Sequence, residues 1–267
     1  MLSPSRLRVV ARRWSSAILE RLRLKRFARD AIRAMRAPGI PRVRPKVVRV
    51  LRHDALVHTQ GLAYAEGRLY ESTGLVGHST LRRIDIESGA VRDNHAVPDV
   101  WAEGIAVRQK QLVQLTYTEG IAMVYRLPRL EIDGGFRYQG EGWGLAASGD
   151  GYVMSDGSHI LTFRDARFAA VGYLAVHLAG RPLTGLNDLE CAYGRIYANV
   201  LLHNDIHEIS PQSGEVLRVI DCSEIVDRAR QGSGALVLNG IAFAPDRNSF
   251  FVTGKKWPMI FELEWLP

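Results

Sequence analysis

The chain has 267 residues, 46% hydrophobic and 24% charged, with two cysteines and a net charge of +7. That composition excludes wholesale disorder, a collagen-like rod and a polytopic membrane protein. Two cysteines also exclude a disulfide framework or an all-cysteine zinc site; Cys191 and Cys222 read as two buried thiols, with a single bridge between them as the alternative.

The charge is unevenly placed. Residues 1–46 hold 14 Lys/Arg against two acids, a net +12, and the remaining body carries −5. The high pI of about 9.6 therefore belongs to the tail, and the body gives no reason to expect a nucleic-acid partner. Within the tail, Leu7, Val10, Trp14, Ile18 and Leu22, then Leu24, Phe27, Ala31 and Met35, recur at helical spacing with arginines between them. The pattern predicts a basic amphipathic helix ended by Pro38 and Pro41. Such a helix suits peripheral membrane contact through residues 1–36, a mitochondrial-type transit segment, or a solvated extension. No apolar run reaches the ~7–15 residues of a secretory core. A cytoplasmic or membrane-surface location is therefore expected. Residues 1–46 are read as a helical extension with a Pro-rich linker, and 47–267 as the folded domain.

From Val47 onward the pattern changes to short β-branched and aromatic runs between turn signals, the mark of an antiparallel all-β domain. One helical turn is expected near Ile225–Ala229. A phrase recurs along the domain: Gln60-Gly61-Leu62-Ala63, Glu103-Gly104-Ile105-Ala106, Trp143-Gly144-Leu145-Ala146, Asn187-Asp188-Leu189-Glu190 and Asn239-Gly240-Ile241-Ala242. Each is followed by a turn and a second strand: Leu69–Glu71, Leu112–Leu115, Tyr152–Ser155, Ile196–Val200 and Phe250–Thr253. Turns such as Asp85–Gly89 and Ser210–Gly214 separate third strands from fourth. A four-strand unit every ~40–50 residues is a propeller blade, so five repeats predict a five-bladed β-propeller. The strand around Val47–Leu51 is expected to close the ring on the last blade. A β-sandwich is the alternative, but it leaves the repeat unexplained. In a propeller the first strand of each blade lines the channel. Gln60, Glu103, Trp143, Asn187 and Asn239 should then converge on one mouth, the default position for a site.

These phrases, with Tyr70-Glu71-Ser72-Thr73-Gly74, Gln114-Leu115-Thr116, Met154-Ser155-Asp156-Gly157 and Thr253-Gly254-Lys255-Lys256-Trp257-Pro258, together resemble the plant and bacterial glutaminyl-peptide cyclotransferases over residues 50–264. The resemblance implies a five-bladed propeller, and conversion of an N-terminal glutamine of a peptide or protein to pyroglutamate with release of ammonia. It implies an acyl transfer by chemistry independent of metal, with no cofactor beyond a structural divalent cation allowed in the channel. By the same resemblance Glu103 is the catalytic acid–base, Lys255 an oxyanion stabiliser or orienter of Glu103, and Asn187 and Gln60 hydrogen-bond the substrate. Trp143 and Tyr117 form its aromatic wall, and Asn239 sits beside them. Glu71, Asp156 and Glu190 read as structural groups in blade turns and the channel. The chain departs from the family at Tyr117 and Leu201, where the family has tryptophans; Leu201 removes a π face worth ~0.5–2 kcal/mol to a bound ammonium.

Two other readings stay open on the residues alone. One is a silent peptide-binding or scaffold propeller. The other is a metal-dependent lactonase-like propeller with Glu103, Asn187 and Asn239 as Ca²⁺ ligands. The eight histidines offer no zinc spacing, since His203 and His207, four apart, lie in a strand-rich region and share no helical face.

Overall fold

A computed structural model describes residues 39–265; the predicted tail helix, with its membrane and targeting readings, lies outside the described residues. Five antiparallel sheets follow one another along the chain. Their innermost strands are Thr59–Ala65, Ala102–Arg108, Leu145–Ser148, Leu186–Ala192 and Leu238–Ala244. Each innermost strand packs on the one before and the one after, and the fifth packs on the first, so the strands form a closed ring. This is the five-bladed propeller the repeat predicts. The expected second strands all form, and both predicted turns separate third strands from fourth, closed by Gly89 N–H to Asp85 O and Gly214 N–H to Ser210 O.

The fifth blade contains only three consecutive strands. Its outer strand is Lys46–Arg52, antiparallel to Met259–Glu264, as expected for ring closure. Arg49 crosses this seam to Glu262, Nε to Oε2 at 3.0 Å. Just inside it, His53 Nδ1 donates to Trp257 O at 2.7 Å and Nε2 to Glu71 Oε1 at 2.8 Å. Two donated bonds require the imidazolium, and the Glu71 carboxylate holds its pKa up against the cost of burial. Glu71 also accepts from Thr59 Oγ1, which fits a structural role.

The linker is shorter than the composition suggests. Arg42–Val43 already forms a strand, parallel to Val219–Ile220, and adds a fifth strand to the fourth blade. The single described helix is Ser223–Arg230, which buries Ile225, Val226 and Ala229 between the fourth and fifth blades. Both cysteines are free; Cys222 is buried and Cys191 partly so. No helix among the described residues is long and apolar enough to cross a membrane.

The core lies between blades, as layers of aliphatic and aromatic side chains shared by neighbouring sheets. Around the channel the limit is backbone itself. A Cβ on Gly61 would sit 2.8 Å from Gly104 Cα, and one on Gly104 would sit 2.6 Å from Gly144 Cα. In the first three phrases the glycine is therefore the space through which the next inner strand is reached.

Candidate active site at one mouth of the channel

In four blades the inner strand's pairing slips where the phrase begins, between Thr59 and Gly61, Ala102 and Ile105, Leu186 and Leu189, and Leu238 and Ile241. Such bulges take residues out of the ladder and re-aim their side chains. The residues released are Gln60, Glu103, Asn187 with Asp188, and Asn239, all at the same end of the ring. The strand alternation that built the sheets thus breaks where polar groups are needed.

Gln60 Nε2 donates to Glu103 Oε1 at 2.9 Å, joining the first and second blades across 43 residues of sequence. Asn239 Nδ2 donates to Thr59 O at 3.0 Å, to Gln60 O at 3.2 Å and more weakly to Gln60 Oε1 at 3.4 Å. The fifth blade therefore positions the amide that positions Glu103. All three side chains are buried.

Glu103 is only 6% exposed. Burial raises its pKa well above the ordinary carboxylate value, the Lys255 ammonium pulls it down, and Asp188 and Glu141 push it further up. Lys255 follows the strand Ser249–Gly254 and is half-buried. Burial lowers its pKa, while the charges of Glu103 and Asp188 oppose that.

Trp143 is buried and lies against the backbone of Gly157, where a Cβ would come within 2.6 Å of the ring. Its indole N–H donates to Glu141 Oε2 at 3.0 Å, and its carbonyl accepts from Gly104 N–H at 2.7 Å. The wall residue is thus tied to the residue after Glu103. Tyr117 packs on Trp101 with ring centroids 5.6 Å apart. Asn187 reaches the same end of the ring, but no hydrogen bond to Glu103 is found; its Oδ1 is buried with no partner, as is Oδ1 of Asn239.

Two residues at this mouth escape the sequence reading. Trp101 lies beside Gln60, since a Cβ on Gly74 would meet both Trp101 Nε1 and Gln60 Nε2, and that indole N–H is buried without a partner. Its only signal is its place two residues before Glu103. Asp188 is fully buried; its Oδ2 accepts from Leu62 N–H at 3.2 Å and Ile241 N–H at 3.0 Å, and its Oδ1 has no partner. It stands where the four other phrases carry glycine, and that break in the repeat was the available sign.

Asp156 is exposed and caps a turn at Ser158 N–H. Glu190 lies at the opposite mouth, beside a cavity of about 190 Å³ that also touches Tyr64, Ala147, Cys191 and Phe243. That cavity contains none of the predicted site residues. Glu190 accepts from Phe243 N–H at 2.8 Å and Cys191 N–H at 2.7 Å, yet burial lifts its pKa to about 7. A carboxyl raised in the folded state binds more protons there than in the unfolded chain. Its stabilising effect is full below pH 4.5 and fades as pH rises to about 7. Glu190→Gln should flatten this part of the melting-temperature profile; an unchanged slope would remove Glu190 as its source.

Fold and mouth together define the class: a five-bladed propeller with a cluster of buried polar side chains at one end of its channel. The family model for glutamine cyclotransferase matches residues 22–265. A glutaminyl-peptide cyclotransferase of Arabidopsis thaliana is 33% identical over 225 residues, which is 82% of this chain and 70% of the relative. The crystal structure of Myxococcus xanthus glutaminyl cyclase superposes with a TM-score of 0.79 at 39% identity, covering 85% of this chain and 98% of that one. The chain belongs to the glutamine cyclotransferase family.

Proposed function

We propose that this protein is a glutaminyl-peptide cyclotransferase, closing an N-terminal glutamine of a peptide or protein into pyroglutamate. The observation that carries the reading is the buried Glu103 carboxyl, held by Gln60 and lying within the field of Lys255 at the channel mouth. In the reaction the α-amine attacks the side-chain amide carbon of the same residue. A C–N bond forms, the amide oxygen becomes an oxyanion, and the original C–N bond breaks to release ammonia. One proton must leave the attacking ammonium and one must reach the departing nitrogen. Ionised Glu103 performs both transfers, and its raised pKa suits it to return the proton. Lys255 supplies positive charge to the oxyanion. Trp143, Tyr117 and Trp101 bound the pocket and hold the substrate folded for attack, with Asn187 offering a buried acceptor to its N–H groups. The acyl group passes to the substrate's own nitrogen, so the class is acyltransferase and no step runs through a metal.

The oxygens of Asn187, Asp188 and Asn239 that lack partners are of the type a hard divalent cation takes. Such an ion would be held there as a structural charge beside Asp188. The scaffold reading leaves the raised Glu103 unexplained, and the lactonase-like reading needs as a calcium ligand the Glu103 carboxylate that already accepts from Gln60.

The test is ammonia release and pyroglutamate formation from a Gln-Xaa peptide, with an N-acetylated peptide as control. Release from the free peptide alone is expected; none from either, with the protein folded, would overturn the assignment. A second expectation follows from electrostatics. Lys255 lowers the pKa of Glu103, so Lys255→Met should raise it. The acidic limb of the kcat/KM profile, where Glu103 gains its proton, should then move to higher pH along with a loss of rate. A limb that stays in place would separate Lys255 from Glu103.

A further inference from the structure

Away from the channel, in the fourth blade, His203, Asp205 and His207 converge. Asp205 and His207 are alternate residues of the strand Asp205–Ile209, so they point to one face of the sheet. His203 lies in the preceding loop, where its N–H bonds back to Val200 O at 2.9 Å and folds the side chain over that face. The spacing rule that set these histidines aside applies to helices; strand alternation plus a returning loop brings them together, with ring centroids 5.4 Å apart. One ligating atom from each of the three residues lies within 4.8 Å of the others.

All three are buried: His203 at 2%, Asp205 at 3% and His207 at 0% exposure. Neither ring nitrogen of His207 has a hydrogen-bond partner. A buried imidazole with both nitrogens unanswered is costly and calls for an unseen group. We propose that His203, Asp205 and His207 bind a structural divalent transition-metal ion, zinc first among them, with a water as fourth ligand. Two imidazoles and one carboxylate suit zinc and disfavour calcium or magnesium, which require mostly oxygen.

The surroundings fit. Arg42 donates to Asp205 Oδ1 at 2.8 Å, which leaves the other oxygen for the ion and orients the carboxylate, as outer-shell donors do. Asp221 lies 3.8 Å from the same guanidinium and offsets its charge. A tetrahedral ion bonded at ~2.0–2.1 Å holds its ligands ~3.3 Å apart, so binding must draw the side chains together by roughly an ångström. Leu201 precedes this loop, and its N–H is bound to Gly185 O at 2.8 Å. Through that loop the ion would pin the rim of the channel mouth to the sheet behind it.

The test uses the full chain with any affinity tag removed, dialysed to equilibrium against zinc at neutral pH and assayed for bound metal. About one ion per folded chain is expected, falling at least ~10-fold in His207→Ala. His177→Ala should leave the content unchanged; it alters the other close histidine pair, whose rings are 6.4 Å apart. X-ray absorption at the zinc edge of the wild type should show two imidazoles, which decides the matter even if His207→Ala does not fold. Negligible zinc on the folded wild type, retention by folded His207→Ala, or a spectrum without two imidazoles would each overturn the proposal.

Discussion

Replacing Glu103 with Gln should lower kcat for glutamine cyclisation by about 10²–10⁴-fold, the ordinary worth of a positioned acid–base group. The substitution keeps size and shape, and the new amide oxygen can still accept from Gln60 Nε2, which now lies 2.9 Å from Oε1. The pocket should therefore keep its form, and KM should change far less than kcat. Stability should hold or rise. Burial raises the Glu103 pKa, so above the ordinary carboxylate range this carboxyl costs the folded protein stability relative to the unfolded chain, and an amide removes that cost. The checks are steady-state ammonia release and a melting curve on the same preparation. Unaltered turnover would remove Glu103 from the reaction. Lost turnover with a collapsed melting curve would show that it holds the fold instead.

Gly144→Ala should be the most destabilising small substitution in the ring. A Cβ there would lie 2.8 Å from Asp188 Cα and 2.7 Å from the carbonyl carbon of Asn187, so backbone meets backbone and no rotamer relieves it. Overpacking of yielding side chains costs ~1–3 kcal/mol; here the neighbouring inner strand must move, so ~3 kcal/mol or more is expected. For a chain of this size that is roughly a 6–12 °C fall in melting temperature. The control is Gly234→Ala, where nothing lies within 4 Å of the new carbon and a change within ~0.5 kcal/mol is expected. Equal stability of the two variants would mean that the inner strands are not held at this spacing.

Much of this arrangement is legible in the sequence, for a physical reason. Every inner strand solves one packing problem, so the same small, apolar phrase returns five times and gives blade number, channel lining and the mouth. Glu103, Gln60 and Asn239 meet because each begins such a phrase. What repetition cannot encode is contact made once. Trp101 precedes its strand and has no counterpart pattern. Asp188 looked like one more variant of the phrase, yet it is the carboxylate bonded by backbone N–H groups of the first and fifth blades. Asn187, expected to bond the substrate, presents an unbonded oxygen at the same mouth. The Arg42–Val43 pairing and the histidine cluster depend on where a linker and a loop return in space, which period and spacing do not report.

The seam between Lys46–Arg52 and Met259–Glu264 also governs when the molecule can exist. Arg49 and Glu262 stand 213 residues apart, so the circle cannot shut until the strand Met259–Glu264 has been made. Blades one to four can stack as they emerge, but the clasp waits for Met259–Glu264. Contacts at such long range form slowly; once locked, the same clasp denies any single blade the freedom to peel away alone. Persistence of the assembled enzyme should therefore be set by how often this one strand lets go.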